Sequence, residues 1–134
     1  MKQYLIAYIT VAVLFLGIDA VWLKFIANEF FHSQLEHLLA DQPKLGVAVC
    51  FYMGYAAGIV YFAVKPALEQ QRIKPAIYNG ALFGFFCYAA YEFTNYATLR
   101  DWPLLILPVD ILWGASLTAL TAAAGFLAVK KLRS

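Results

Sequence analysis

Charged residues are scarce in this sequence: only 13% of the 134 residues are Asp, Glu, Lys or Arg. The formal net charge is +2, and basic residues cluster only in the last few positions. We therefore expect no nucleic-acid binding, because phosphate recognition needs a broad basic surface. Apolar residues make up 63% of the chain, and a chain this short has too little interior to bury so many of them. The composition predicts an integral membrane protein with one domain, residues 1–134.

Cysteine and histidine are also rare, with two of each. Cys50 and Cys87 lie in apolar runs and form no Cys-x-x-Cys motif, which argues against a thiol oxidoreductase. Glu29, His32 and Glu36 share one helix face. A metal-binding face is one interpretation of that spacing, and a solvated polar face explains it without metal. Since the sequence also has no nucleotide-binding loop or nucleophile elbow, we expect no cofactor and no metal.

Four stretches are long and apolar enough to cross the roughly 30 Å hydrocarbon core of a bilayer as helices. They predict an all-α membrane protein, a four-transmembrane-helix bundle with spans at about 4–23, 45–64, 76–99 and 104–129. Short segments that contain proline mark the connections between the spans. Residues 41–43 end the first connection, 65–66 and 74–75 bracket the second, and 101–103 form the third. The last connection is so short that spans three and four are expected to be antiparallel neighbours.

The connection between the first two spans has a helical pattern of its own, over about residues 25–40. Its apolar residues fall on one helix face, and its charged and polar residues lie mostly on the rest. The apolar set is Ile26, Phe30, Phe31, Leu35, Leu38 and Leu39. We expect an amphipathic surface helix along the outer membrane surface, or alternatively a lid over the mouth of the bundle.

The distribution of basic residues predicts the orientation. Seven of the ten Lys and Arg residues lie on the side that holds both termini, and three (Lys24, Lys44 and Arg100) lie on the other. Cytoplasmic loops carry the excess of Lys and Arg. Both termini are therefore expected in the cytoplasm, in a multi-pass protein of a bacterial inner membrane.

Three acidic residues lie within the predicted spans: Asp19, Glu92 and Asp110. With this orientation, each lies roughly 6–10 Å below the outer boundary at 1.5 Å per residue. Ionisable groups in spans are costly and commonly functional. Three acids at one depth therefore predict an outward-facing acidic pocket. The alternative is that they serve only as hydrogen-bonding groups between helices.

Polar and aromatic residues near these acids extend the predicted pocket. Asp19 and Asp110 each have a tryptophan three residues later, and Glu92 has Asn95 and Tyr88 on its own helix face. Arg100 lies two turns above Glu92 and could extend back to it. The predicted pocket residues are Asp19, Trp22, Tyr52, Tyr55, Tyr88, Glu92, Asn95, Arg100, Asp110 and Trp113.

Small residues at four-residue spacing allow helices to approach closely. They form Gly54-x-x-x-Gly58 and Gly80-x-x-x-Gly84, and span four adds Ala115, Ala119 and Ala123. Packing within the bundle explains them, and a homodimer through span four is the alternative.

With these motifs, the chain resembles a family of small bacterial inner-membrane proteins with four predicted spans and no assigned function. The resemblance covers the whole chain and is carried by Asp19-Ala-Val-Trp22-Leu23, by Asn95-Tyr-Ala97-Thr-Leu99-Arg-Asp-Trp102-Pro103 and by Asp110-Ile-Leu-Trp113-Gly114. It implies an inner-membrane location, and because the family has no established activity, the resemblance assigns no catalytic residue.

The sequence leaves three functional interpretations open. In the first, the pocket binds or translocates a proton, a cation or a polar lipid head group, since aromatic walls suit organic cations. In the second, the chain is a membrane-lipid-modifying enzyme, or a subunit of one, and the acids perform acid/base chemistry. In the third, it is a structural or accessory membrane protein.

Overall fold

The computed structural model describes residues 2–39 and 44–133 of the chain, and every regular element in these ranges is helical. The break expected at 41–43, and Ala40 at the end of the expected surface helix, lie outside the described residues. The coarse expectation of an all-helical protein is therefore confirmed for the part of the chain that the structure describes.

The first half of the chain forms two long helical segments, each with a π-helical stretch inside it. The first begins as α1 (Lys2–Val21) and continues without a break through a π-helical stretch (Trp22–Ile26) into α2 (Ala27–Leu35). A short 3₁₀ turn, Glu36–Leu38, follows. The second segment consists of α3 (Leu45–Ile59), a π-helical stretch (Val60–Val64) and α4 (Lys65–Gln70).

The second half contains two long helices, α5 (Lys74–Thr98) and α6 (Ile106–Arg133). Three segments are long and apolar enough to cross a membrane, namely Lys2–Phe25, Leu45–Gln70 and Ile106–Leu132. The third predicted span, 76–99, corresponds to α5, which has 25 residues but is not among these three. Its polar residues, Asn79, Glu92 and Asn95 among them, reduce its hydropathy.

The second helical segment does not end at Lys65-Pro66, as the sequence predicted, but continues to Gln70. A proline interrupts a helix because it has no N–H for the carbonyl four residues earlier, which here belongs to Phe62. The side-chain amide of Asn79 on α5 donates a hydrogen bond to that carbonyl oxygen over 3.0 Å. The helix ends at Gln71, whose backbone is left-handed with φ 54° and ψ 38°.

Helices α5 and α6 approach closely along a seam of small residues. A Cβ at Gly84 would collide with the Gly114 carbonyl oxygen and the Thr118 side chain, and a Cβ at Gly80 would lie 3.0 Å from the Ala119 Cα. The prediction that Gly80-x-x-x-Gly84 allows close helix approach is therefore confirmed. Gly54, in contrast, faces open space.

Large apolar side chains cover the outside of the helices. Residues from every long helix are more than half exposed, including Leu5, Val13, Phe51, Tyr61, Leu82, Phe86, Leu112 and Leu120. Soluble monomers rarely expose such extensive apolar surface. The exterior therefore suits contact with a lipid bilayer, while the centre between α1, α3 and α6 is filled by smaller and aromatic core residues such as Val11, Phe15 and Ile59.

Candidate functional site

Asp19 lies near the end of α1 and is only 5% exposed. The indole N–H of Trp113, on α6, donates a hydrogen bond to its Oδ1 atom over 3.0 Å. The Tyr52 hydroxyl on α3 is directed at the same carboxyl group. Asp19 therefore joins three helices through its side chain, and its carboxyl is satisfied without a basic partner.

The two Asp-x-x-Trp motifs contact each other across the helix interface. The Trp22 and Trp113 rings stack with centroids 4.2 Å apart and an interplanar angle of 11°. Trp113 therefore packs on the tryptophan of the first motif and donates to the aspartate of that same motif. The sequence places a tryptophan three residues after each aspartate, but the structure joins the tryptophan of the second motif to the aspartate of the first.

Glu92 is the most deeply buried acid of the chain described here, with 1% of its surface exposed on α5. Its Oε1 atom accepts a hydrogen bond from the Trp102 indole N–H over 2.9 Å. Trp102 lies in the turn between α5 and α6, and its ring also packs edge-on against Tyr91 with centroids 5.9 Å apart. The short turn therefore brings the Trp102 indole back to Glu92, which lies ten residues earlier in the chain.

Asp110 lies in the second turn of α6, because that helix begins at Ile106. Its carboxyl group lies beside the Glu92 carboxyl and also interacts electrostatically with Asp19. The structure thus brings together the three acids from α1, α5 and α6. None of them forms an ion pair with a Lys or Arg of the described residues.

A cavity of about 360 Å³ opens beside these acids, between α3 and α5. It exists because α3 packs on α1, whereas the second helical segment contacts α5 mainly through the later stretch Val60–Gln70. Its lining is mostly aromatic, with one carboxyl group: Ala48, Phe51, Tyr52, Tyr55, Cys87, Tyr88, Tyr91 and Asp110. Asp110 is therefore the acid that faces the cavity. Asp19 and Glu92 do not line it, and each accepts a hydrogen bond from a tryptophan indole.

Two of the tyrosines that line the cavity, Tyr55 and Tyr88, are held in place by contacts with α6. The Tyr55 hydroxyl shares a hydrogen bond of 2.8 Å with the buried Thr118 hydroxyl on α6. The Tyr88 ring packs directly over Gly114, where a Cβ would overlap it. These contacts fix the aromatic walls of the cavity against α6.

Six of the ten predicted pocket residues do not line the cavity. Four of them are the acids and indoles described above, Asp19, Trp22, Glu92 and Trp113, and the other two are Asn95 and Arg100. Asn95 approaches the Tyr91 hydroxyl one helical turn earlier on α5. Arg100 is exposed in the turn after α5 and forms no ion pair with an acid of the described residues. Because Trp102 fills the position next to Glu92, the predicted return of Arg100 to that acid is not seen.

The chemistry of the site is therefore that of carboxyl, hydroxyl and indole groups. Within the described ranges, no group of three or more His, Cys, Asp or Glu side chains is arranged to hold a metal ion. Every fully buried side-chain nitrogen or oxygen there has a hydrogen-bond partner. The arrangement can hold a proton on a carboxyl pair, or a cation between Asp110 and the aromatic rings.

Sequence reasoning did not place Trp102, Tyr91, Phe51 or Cys87 in the site. Trp102 enters the sequence analysis only as part of the motif that carries the family resemblance, although its position next to Pro103 in a very short turn could have indicated that it folds back. On α5, Tyr91 lies three residues after Tyr88, and Cys87 lies four residues before Tyr91. Helical periodicity could therefore have placed both residues beside Tyr88. Phe51 gave no signal beyond its neighbour Tyr52.

A family model with the description "Predicted membrane protein (DUF2177)" matches residues 4–127. Neither the curated proteins nor the solved structures include a match to the chain.

Proposed function

The chain belongs to the DUF2177 family of predicted membrane proteins, and we propose that it binds an organic cation or a cationic head group in the cavity beside Asp110. A proton is the smallest ligand that the same carboxyl groups could take. The observation that carries the proposal is that one carboxyl group faces a cavity of about 360 Å³ whose other walls are largely aromatic. Cations are attracted both to a carboxylate and to the faces of aromatic rings.

The neighbouring acids support this assignment. Asp19 and Glu92 each accept a hydrogen bond from an indole, at 3.0 and 2.9 Å, so their carboxyl groups are engaged. Asp110 has the adjacent Glu92 carboxyl and no basic partner within the described part of the chain. A cation entering the cavity would relieve the repulsion between these carboxyl groups, whereas an anion would increase it.

Together with this site we propose a four-span architecture, in which the cavity lies within the membrane. In this architecture α5 also crosses the membrane, as the third of four spans in chain order, since its 25 residues reach about 37 Å at 1.5 Å per residue. Its exposed Leu82, Phe85 and Phe86 would face lipid. Segment Ala27–Leu35 would then form the outer surface helix, and both termini would lie in the cytoplasm of a bacterial inner membrane.

Reporter fusions at the two termini test this topology. With four spans both termini lie on the same side of the membrane, and with three spans they lie on opposite sides. A reporter that is active only in the cytoplasm should therefore be active at both ends. Activity at one end alone would refute the four-span architecture.

Ligand-induced thermal stabilisation in detergent tests the cation site. Choline and its neutral isostere 3,3-dimethylbutan-1-ol are compared as probes, so that shape is constant and charge differs. Choline should raise the unfolding temperature of the wild type and not that of Asp110→Asn. Glu69→Gln, at an exposed acid outside the cavity, is the matched control and should respond as the wild type does. Equal shifts for both probes, or for wild type and Asp110→Asn, would refute the proposal.

The contact between Glu92 and Asp110 favours a second candidate, a membrane-lipid-modifying enzyme or a subunit of one. Two adjacent carboxyl groups can divide the roles of general acid and general base. Membranes containing the wild type would then differ in lipid composition from membranes containing a stably folded Glu92→Gln variant, as measured by mass spectrometry of total lipid. Identical lipid profiles would remove this candidate.

The complete hydrogen bonding of the buried polar side-chain atoms in residues 2–39 and 44–133 also suits a structural or accessory role, in which the acids only join helices. That role predicts lower stability for Asp110→Asn and no response to any probe.

We also propose that two copies of the chain can form a homodimer through α6. Ala115 and Ala123 are half-buried and could pack on a second copy, whereas Ala119 lies against Gly80 of α5 and Gly114 is covered by Tyr88.

A further inference from the structure

A second cavity lies at the other end of α1, away from the acids. It has a volume of about 330 Å³ and is lined by Tyr4, Tyr8, Ala57, Val60, Tyr61 and Lys65. We call it the Lys65 groove. Tyr4 precedes Asp19 by fifteen residues on the same helix, which is about 22 Å at 1.5 Å per residue. The groove is therefore separate from the cavity beside Asp110 and shares no lining residue with it.

The positive charge in this groove has no counterion among the residues that the structure describes. Lys65 is half-buried, and its ammonium nitrogen lies 5.1 Å from the centre of the Tyr61 ring. No acid lines the groove, and Lys65 forms no ion pair with Glu69, one helical turn later, or with any other described residue. A half-buried ammonium group that loses water without gaining a carboxylate favours an external anion.

The polarity of the groove changes along its length. Lys65 lies at one end, and Ala57 lies eight residues earlier on the same helical segment, about 12 Å away along the axis. The hydroxyl of Tyr8 is engaged, since it donates to the Met53 carbonyl over 3.0 Å. The hydroxyls of Tyr4 and Tyr61 have no hydrogen-bond partner among the described residues, so both can donate to an anion. The groove thus runs from a cationic, hydroxyl-bearing end to an apolar end, as a phospholipid runs from its phosphate to its acyl chains.

We propose that the Lys65 groove binds one anionic glycerophospholipid. The phosphate lies at Lys65 and accepts hydrogen bonds from the tyrosine hydroxyls, and an acyl chain lies over Ala57 and Val60. Basic pockets between transmembrane helices are suited to such head groups. Other exposed basic residues lie at the same end of the helices, Lys74 and Lys130 among them, but neither lines the groove. They supply a general attraction for anionic lipid, whereas Lys65 supplies a defined site.

Native mass spectrometry of the detergent-purified protein tests this site with phosphatidylglycerol and phosphatidylcholine as the two lipid probes. We expect the wild type to retain one phosphatidylglycerol per chain and little phosphatidylcholine. Lys65→Gln should reduce the retained phosphatidylglycerol several-fold, and Lys130→Gln, the matched control at the same end, should leave it unchanged. Ala57→Phe adds bulk to the apolar end without altering charge, and it should reduce retention as well.

Three results would overturn the proposal. The first is equal retention of the two lipids by the wild type, and the second is an equal loss in Lys65→Gln and Lys130→Gln, which would indicate diffuse attraction. The third is a thermal stabilisation by inorganic phosphate alone that equals the stabilisation by phosphatidylglycerol, which would remove the lipid assignment. Lys65→Gln is folded if its thermal unfolding in detergent has the same midpoint and cooperativity as that of the wild type, and the groove is thereby judged independently of the Asp110 cavity.

Discussion

The Trp113 indole donates a hydrogen bond of 3.0 Å to the carboxyl of Asp19, although 94 residues separate the two in the sequence. This contact connects the first long helix of the chain to the last. Asp19 is 5% exposed, and a buried carboxyl group without a partner is costly. The bond therefore stabilises one particular packing of α1 against α6, and the stacked Trp22 ring reinforces it.

Replacing Trp113 by phenylalanine should destabilise the protein, because it keeps an aromatic ring against Trp22 and removes the N–H donor to Asp19. Leaving a buried acceptor unsatisfied costs about 1–3 kcal/mol. Unfolding in detergent measures the loss. A double-mutant cycle with Asp19→Ala isolates the pair, since Trp113→Phe should cost much less when the carboxyl is absent. Equal costs in the two backgrounds would show that the hydrogen bond contributes nothing.

Trp102→Phe should likewise destabilise the protein by about 1–3 kcal/mol, because Glu92 loses its indole donor while remaining buried. Arg100→Gln provides the control, since Arg100 is exposed in the same turn, and it should change stability by less than about 0.5 kcal/mol. Unfolding of both variants in the same detergent decides the matter. If Arg100→Gln proves the more damaging of the two, the arginine rather than the tryptophan serves Glu92.

The helices themselves were largely predictable from the sequence. Long apolar runs identify α1, α3 and α6, and the short turn after α5 indicates that α5 and α6 are neighbours. Depth along each helix follows from counting residues, so the common level of Asp19, Glu92 and Asp110 could be anticipated. That counting uses only the rise per residue, which is the same in every helix.

The pairing of donors with acids could not be predicted in the same way. Which tryptophan reaches Asp19 depends on the rotation and spacing of α1 and α6, and Gly125, where a Cβ would lie 3.0 Å from the Val11 side chain of α1, helps to set that spacing. Trp102 reaches Glu92 only because a turn reverses the chain. The Phe62 carbonyl, which Pro66 cannot serve as a donor, accepts a hydrogen bond from Asn79 on another helix. Each of these depends on tertiary contacts that local sequence patterns do not record.

The continuation past Pro66 gives a prediction about Asn79. Asn79→Leu keeps the side-chain size and removes the donor to the Phe62 carbonyl, so it should cost about 0.5–1.5 kcal/mol of stability. In a Pro66→Ala background the backbone N–H of residue 66 is restored, and the same substitution should cost clearly less. Denaturation of the four proteins gives the coupling free energy between the two positions. A coupling of zero would mean that Asn79 does not compensate for the proline.

Substitution by alanine should have opposite effects on stability at Gly84, in the seam between α5 and α6, and at Gly54, on the open side of α3. Gly84→Ala places a methyl group against the Gly114 carbonyl and the Thr118 side chain, and such overpacking costs about 1–3 kcal/mol. Because a carbonyl oxygen cannot rotate away as a side chain does, the two helices must separate. That separation would also disturb the Tyr55–Thr118 hydrogen bond.

Gly54→Ala is the matched control, since it meets no atom within 4 Å. Alanine stabilises a helix relative to glycine by roughly 0.5–1 kcal/mol, so this variant should unfold at a higher temperature than the wild type. Thermal unfolding of both variants in one detergent provides the comparison. If both alanines stabilise the protein, α5 and α6 are not held at the distance described, and the wall that Tyr88 gives to the Asp110 cavity would not be fixed by Gly114.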